Sequence, residues 1–222
     1  MQRHFDQQIS DLLNRLVLMG QTAASMVHTA VQALIQRDEG HCDEVRRKEQ
    51  EVDGLEIEVE DRAIKLTALN QPVGTDLRFL FMVSRISTEI ERIADQAINI
   101  CEATPALLKE PPLRPLIDLP QMVEIVEKMV HDSLDSLVRK DVILANRVLE
   151  EYENKVDAFR DQIFRELLTY MMADPATIQR ALALILISRH LERVGDHATN
   201  IAEEVIYLVQ ARDIRHHHGD AK

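Results

Sequence analysis

Tryptophan is absent from the 222 residues, aromatic side chains amount to 4%, and the chain holds two cysteines, six glycines and seven prolines. Each shortage excludes something. With few aromatics, no Asn-Gly turn and no stretch that alternates strictly between apolar and polar residues, there is little from which to build strands. Cys42 and Cys101 have no spacing that suggests a thiolate metal site or a disulfide framework, which fits a reducing compartment and points to the cytoplasm. The longest apolar run, 181-ALALILI-187, falls far short of the ~20 residues that span a bilayer. The start, MQRHFDQQIS, has no charged region followed by an apolar core. A chain neither exported nor membrane-spanning by its own means is expected. Lys and Arg number 26 against 38 Asp and Glu, a net charge of −12. Nucleic acid is therefore not an expected partner, because a phosphate-backbone binder needs clustered basic residues. Divalent cations or basic protein surfaces are the natural partners of such a chain.

What is present is helix. Apolar residues are 45% of the chain, enough to fill a core. They recur at three and four, as in Phe79, Val83, Ile86, Ile90, Ile93, Ala97 and Cys101, which lie on one helical face. Five of the prolines fall within 105-PALLKEPPLRPLIDLP-120, and proline removes the amide donor and restricts the residue before it, so a linker is expected there. Break signals predict six long helices: Phe5 to Gln36, then to Leu69, then from beyond Pro72 to Thr104, and after the linker Gln121 to Arg139, Asp141 to Met172 and Pro175 to Gln210. Asp174-Pro175 is a helix start, with an aspartate to cap and a proline at the first helical position. The histidines at 216 to 218 follow the last periodic residues and read as a disordered polar tail.

The two sides of the linker match. His28, Leu34 and Asp38 correspond to His131, Leu137 and Asp141 at an offset of 103; Glu49, Val52 and Asp53 correspond to Glu153, Val156 and Asp157 at 104; Glu91 to Glu102 correspond to Glu192 to Glu203 at 101. Offsets that drift by a few residues are what small local insertions leave in a duplicated unit. The expected fold is all-α, with two tandem three-helix bundles over 1–104 and 121–211, a Pro-rich linker over 105–120 and a His-rich tail over 212–222. One continuous six-helix bundle without internal symmetry is the competing architecture.

The repeat carries an acidic pattern. Glu91, Asp95, Asn99 and Glu102 stand at i, i+4, i+8 and i+11, and Glu192, Asp196, Asn200 and Glu203 repeat both the spacing and the residue types. At 100° per residue each set forms one stripe on the flank or outside of its bundle. Glu49 with Asp53, and Glu153 with Asp157, add Glu-x-x-x-Asp on the preceding helix of each half. Like charges at i and i+4 disfavour an exposed helix, so such pairs in equivalent helices invite a compensating cation, and carboxylates suit hard or borderline divalent ions. A single such pair in so acidic a chain is usually a solvated face, and Arg92 and Arg193 stand near enough in sequence to neutralise local charge. It is the shared register that favours a site. His190 and His197 flank the second stripe, either as added ligands or as ordinary histidines of the helix surface.

Two copies of Glu-Arg-x-x-Asp-x-Ala-x-Asn-Ile, the paired Glu-x-x-x-Asp on the preceding helices, and 71-QPVGTDLR-78 ahead of the third helix make the chain resemble the PhoU family, regulators that accompany bacterial phosphate uptake. The resemblance covers nearly the whole chain. It implies two three-helix bundles and multinuclear metal clusters of divalent or trivalent ions, one held by Glu49, Asp53, Glu91 and Asp95 and the other by Glu153, Asp157, Glu192 and Asp196. Carboxylates accommodate Fe, Zn, Mg, Mn and Ni, so the metal stays open. It also implies a homodimer that represses the phosphate regulon when phosphate is plentiful by linking the phosphate ABC transporter, through its ATPase subunit, to the PhoR sensor histidine kinase, and that meets the membrane only through those partners. One departure is 175-PATIQR-180, which lacks the Asp76 and Arg78 of the first half; spacing assigns those two no role.

Enzyme readings find little support. No Gly-x-x-x-x-Gly-Lys phosphate loop occurs, and none of the nine histidines has the Glu three residues before it that di-iron bundles use. The segment 188-SRHLER-193 has some likeness to a kinase phosphoacceptor, with nothing able to bind ATP after it. The alternative to an adaptor is a metal-buffering or metalloenzymatic bundle.

Overall fold

A computed structural model describes residues 2–212, and among them no strand occurs. The helices are α1 Gln2–Gln36, α2 Gly40–Asn70, α3 Thr75–Leu108, α4 Asp118–Arg139, α5 Val142–Arg147, α6 Glu153–Ala173 and α7 Ile178–Gln210. A π-helical turn, Val148–Tyr152, joins α5 to α6, so the seven segments make six rods. This turn accounts for a shift in the repeat. The offset between halves grows from 103 at Asp141 to 104 at Glu153, and a turn bonded i to i+5 lodges one extra residue without ending the helix. Buried Tyr152 anchors it, its hydroxyl donating to Asp132 Oδ2 at 3.0 Å.

Helix ends follow the repeat as well. Arg37 and Lys140, equivalent residues, both close their helices in the left-handed region, at φ 56° and 54°. Non-glycine residues there cost roughly 1–2 kcal/mol, which a glycine-poor chain offsets by capping the start of the next helix. Asp38 Oδ1 accepts from Gly40 N, Asp141 Oδ1 from Ile143 N and Leu144 N, and Asp174 Oδ1 from Ala176 N. Asp174 and Pro175 thus start a helix, entered through a 3-10 turn, Pro175–Thr177.

The connection differs from the proline-based expectation. α3 continues through Pro105 to Leu108 and α4 begins at Asp118, so the irregular stretch is 109–117 and not 105–120. Leu107, two residues beyond the proline, is buried in the core. The Cys101 carbonyl, which Pro105 has no N–H to reach, instead faces Cys42 Sγ at 3.9 Å. The two cysteines, 59 residues apart, therefore meet as free, buried thiols. Burial, then Cys42, push the Cys101 thiol well above its ordinary range. The connection is also tied down on both sides: Arg37 donates to the carbonyls of Leu108 and Glu110, Arg180 to that of Pro111, and buried Arg114 pairs with Asp118 at 2.8 Å.

α1, α2 and α3 pack together, as do α4, α6 and α7. All the apolar positions that sequence periodicity places on one face of α3 are buried. The bundles are not separate, because α3 packs against α7 and α1 against α4, and the buried apolar residues form one continuous core. The His-rich tail lies, beyond Arg212, outside the described residues.

Candidate functional site

α2 presents Glu49, Asp53 and Glu56 at i, i+4 and i+7, one helical stripe, towards the stripe of α3. Burial first, then the charges of Asp53, Asp95 and Glu102, hold the Glu49 carboxyl above its ordinary value. Glu91 is raised by burial and then by Asp95, Glu56 and Asp53, and Glu56 by burial and then by Glu60 and Asp53. Residues from both helices thus share one negative field, in which the charges of Glu49, Asp53, Glu91 and Asp95 act on one another across the α2–α3 pair. Sequence reasoning misses Glu56, although its place one further step along the α2 stripe is a signal for it. Glu49, Glu56 and Glu91 are half-buried, while Asp53, Asp95 and Glu102 are exposed. The nearest arginines are at the edge and engaged, Arg46 with Asp43 at 2.8 Å and Arg92 with Glu89 at 3.4 Å.

This crowding costs stability. An acid whose folded-state pKa lies above its unfolded value of 4.5 stabilises at low pH and loses that contribution as pH rises through the raised value. Glu91→Gln is therefore expected to stabilise the protein in chelating buffer at neutral pH by roughly 0.2–0.5 kcal/mol, a figure kept small because the group is partly solvated. The gain is absent below pH 4, where wild type is also neutral; urea melts at both pH values check it.

In the second half, Asp157, Glu192 and Asp196 also meet. Burial first, then Glu192 and Asp157, raise the Asp196 carboxyl. Here an arginine is inside the cluster. Arg160 hydrogen-bonds Glu192 and lies 3.0 Å from Asp157 Oδ1 and 2.8 Å from Asp161 Oδ1. Glu153 is exposed at the first position of α6, directly after the π turn. The stripes diverge at their ends: Glu102 is exposed and Glu203 buried. Among the described residues, no group of three or more His, Cys, Asp or Glu side chains is arranged to hold a metal ion. The fit to a cation accordingly rests on the donor set. The first cluster is all carboxylate, an oxygen donor that hard cations accept; the second includes a guanidinium that competes for the same oxygens.

His190 and His197 are not surface histidines. Both are half-buried where α7 crosses α3, His190 Nδ1 lying 3.0 Å from Gln96 Oε1 and His197 Nδ1 2.8 Å from Glu89 Oε2. The repeat equates 89 with 190 and 96 with 197, so the two contacts are related by the pseudo-twofold that relates the halves. Asn200 Nδ2 also donates to Glu89 Oε2, at 2.9 Å. Burial would raise the Glu89 carboxyl, but the hydrogen bonds from His197 and Asn200 hold it below its ordinary value. His190 is lowered by burial and by Arg193.

Arg78, to which spacing assigns no role, crosses the same seam. It donates to the Leu208 carbonyl at 3.0 Å, with its guanidinium 5.7 Å from the centre of the Tyr207 ring. It thereby satisfies a carbonyl in the last turn of α7, where a positive charge is favoured. Asp76 is exposed in the first turn of α3.

The PhoU domain family model matches twice, over residues 16–104 and 119–205. A "Phosphate-specific transport system accessory protein PhoU homolog" from Pseudomonas aeruginosa is 36% identical over 215 residues, covering 96% of this chain and 88% of its own length. A homologue of the same description from Aquifex aeolicus is 36% identical over 211 residues and 95% of both chains. The crystal structure of PhoU from Pseudomonas aeruginosa superposes with a TM-score of 0.88 over 94% of this chain and all of that one. That of the phosphate transport system regulatory protein PhoU from Streptococcus pneumoniae, at 24% identity, shares the fold with a TM-score of 0.86.

Proposed function

This chain belongs to the PhoU family, and from that membership we propose that it is an accessory regulator of phosphate transport, a non-enzymatic adaptor that represses the phosphate regulon when phosphate is plentiful. In this reading it links the ATPase subunit of the phosphate ABC transporter to a PhoR-type sensor kinase, as a cytoplasmic homodimer. The observation that carries the reading is that both halves match the PhoU domain and that nearly the whole chain aligns, at 36% identity, with a phosphate-specific transport system accessory protein PhoU homologue. No helix among the described residues is long and apolar enough to cross a membrane.

Metal binding is the second part of the proposal. Glu49, Asp53, Glu91 and Asp95 would hold a divalent or trivalent cation, with Glu56 and Glu102 beside them. A bound cation would neutralise a field that Arg46 and Arg92 offset only in part and would tie α2 to α3. Glu153, Asp157, Glu192 and Asp196 form the family-equivalent set, whose chemistry Arg160 changes.

Two experiments test the function. Deleting the gene should leave a phosphate-regulon reporter active in high phosphate, and pull-down should retain the transporter's ATPase subunit and the sensor kinase. Loss of both interactions in the Glu91→Ala, Asp95→Ala double variant ties the adaptor role to the first cluster. A reporter that still responds to phosphate in the deletion strain would sink the reading.

A further inference from the structure

The offset of 104 that equates Glu49 with Glu153 and Asp53 with Asp157 also equates Glu56 with Arg160. Opposite charges therefore occupy the same place in the two halves, three residues beyond the aspartate of each pair. Glu56 adds a carboxylate to its cluster, whereas the Arg160 guanidinium binds Glu192 across the helix pair and lies 3.0 Å from Asp157 and 2.8 Å from Asp161. We infer that the two clusters take different counter-ions: the first binds metal, and the second is closed to it by Arg160, which serves as its permanent cation.

Guanidinium suits that role. It stays protonated at every physiological pH, and its planar fork matches carboxylates with charge-assisted hydrogen bonds. A metal ion entering between Asp157 and Glu192 must break those bonds and then lie beside a displaced positive charge. In the first cluster no arginine spans the helices, since Arg46 and Arg92 are held at its edge by Asp43 and Glu89. The consequence is one loaded cluster per chain in a protein whose sequence repeat suggests two. This rests on the cation reading of the first cluster and assigns that reading a stoichiometry.

The test uses the full chain, stripped with chelator, dialysed against Mn²⁺ and counted by elemental analysis, with circular dichroism to confirm folding. Mn²⁺ is the probe because oxygen donors suit it. Arg160→Gln should roughly double the bound metal relative to wild type, while Arg160→Lys, which keeps the charge but loses the planar fork, should raise it less than Arg160→Gln does. Glu56→Arg, which copies the second half onto the first, should reduce it to background. Metal in wild type that Arg160→Gln does not increase overturns the inference and leaves the cation reading standing. Absence of bound Mn²⁺ from wild type and from Arg160→Gln overturns both. Anomalous scattering from Mn²⁺-soaked wild-type crystals decides the point without any substitution, a peak between Asp157 and Glu192 being fatal to the inference.

Discussion

Ile90→Ala is expected to lower the stability of the entire chain by about 2–5 kcal/mol, and Leu191→Ala, its counterpart in the second half, to do so by a similar amount through the same transition. Both side chains are fully buried, at 0% exposure, on α3 and α7 respectively. Truncation removes their transfer free energy and leaves a cavity that helices packed on several sides cannot close. The shared transition is the more informative part. α3 and α7 pack against each other and the buried apolar residues are continuous across the halves, so neither bundle can unfold without exposing the flank of the other. Calorimetry and far-ultraviolet circular dichroism should show one coincident transition for wild type and both variants. Two transitions, each moved by only one substitution, would show that the bundles are independent domains.

Glu89→Ala is expected to cost about 1–3 kcal/mol, because it strands the His197 ring and the Asn200 amide at a half-buried seam with no acceptor between them. Glu89→Gln keeps an oxygen acceptor and should cost less. Paired with His197→Ala in a double-mutant cycle, Glu89→Ala should show a coupling above about 0.5 kcal/mol, since the two residues are in direct contact. Acid gives a second readout. The Glu89 carboxyl is held below its ordinary 4.5, so the stability it contributes is complete above that pH and is lost as pH falls through the lower, folded-state value. Wild type should therefore lose stability more steeply than Glu89→Ala as pH falls below 4.5; parallel acid limbs would mean that the contact contributes nothing.

The seam shows why some residues are legible in the sequence and others are not. Glu89, Gln96, His190 and His197 each look unremarkable on their own helix, and their partners lie 94 and 108 residues away in sequence. Periodicity reports which face of a helix is apolar. It does not report what that face meets. Pro105 misleads for a related reason: proline's local effect is real, but Leu107 is buried and Cys101's freed carbonyl has a neighbour in Cys42. Glu56 is within reach, since it extends the α2 stripe by one step, whereas Arg160 is not, because a lone arginine on an acidic helix face is ordinary.

By itself the sequence determined the helical class, the duplication, the near-complete helix boundaries and the presence of Glu-x-x-x-Asp in two pairs of equivalent helices. These are properties of spacing along one chain, set by 3.6 residues per turn and by the residues that cap or break a helix. Tertiary structure alone decided that Glu49, Asp53, Glu91 and Asp95 share one field, that two histidines lie in a seam between halves, that two cysteines touch, and that one acidic cluster contains an arginine while the other does not. Each of these depends on how helices rotate about their axes when their apolar faces pack, and a few tens of degrees of rotation, invisible in the sequence of any one helix, choose which charges face one another.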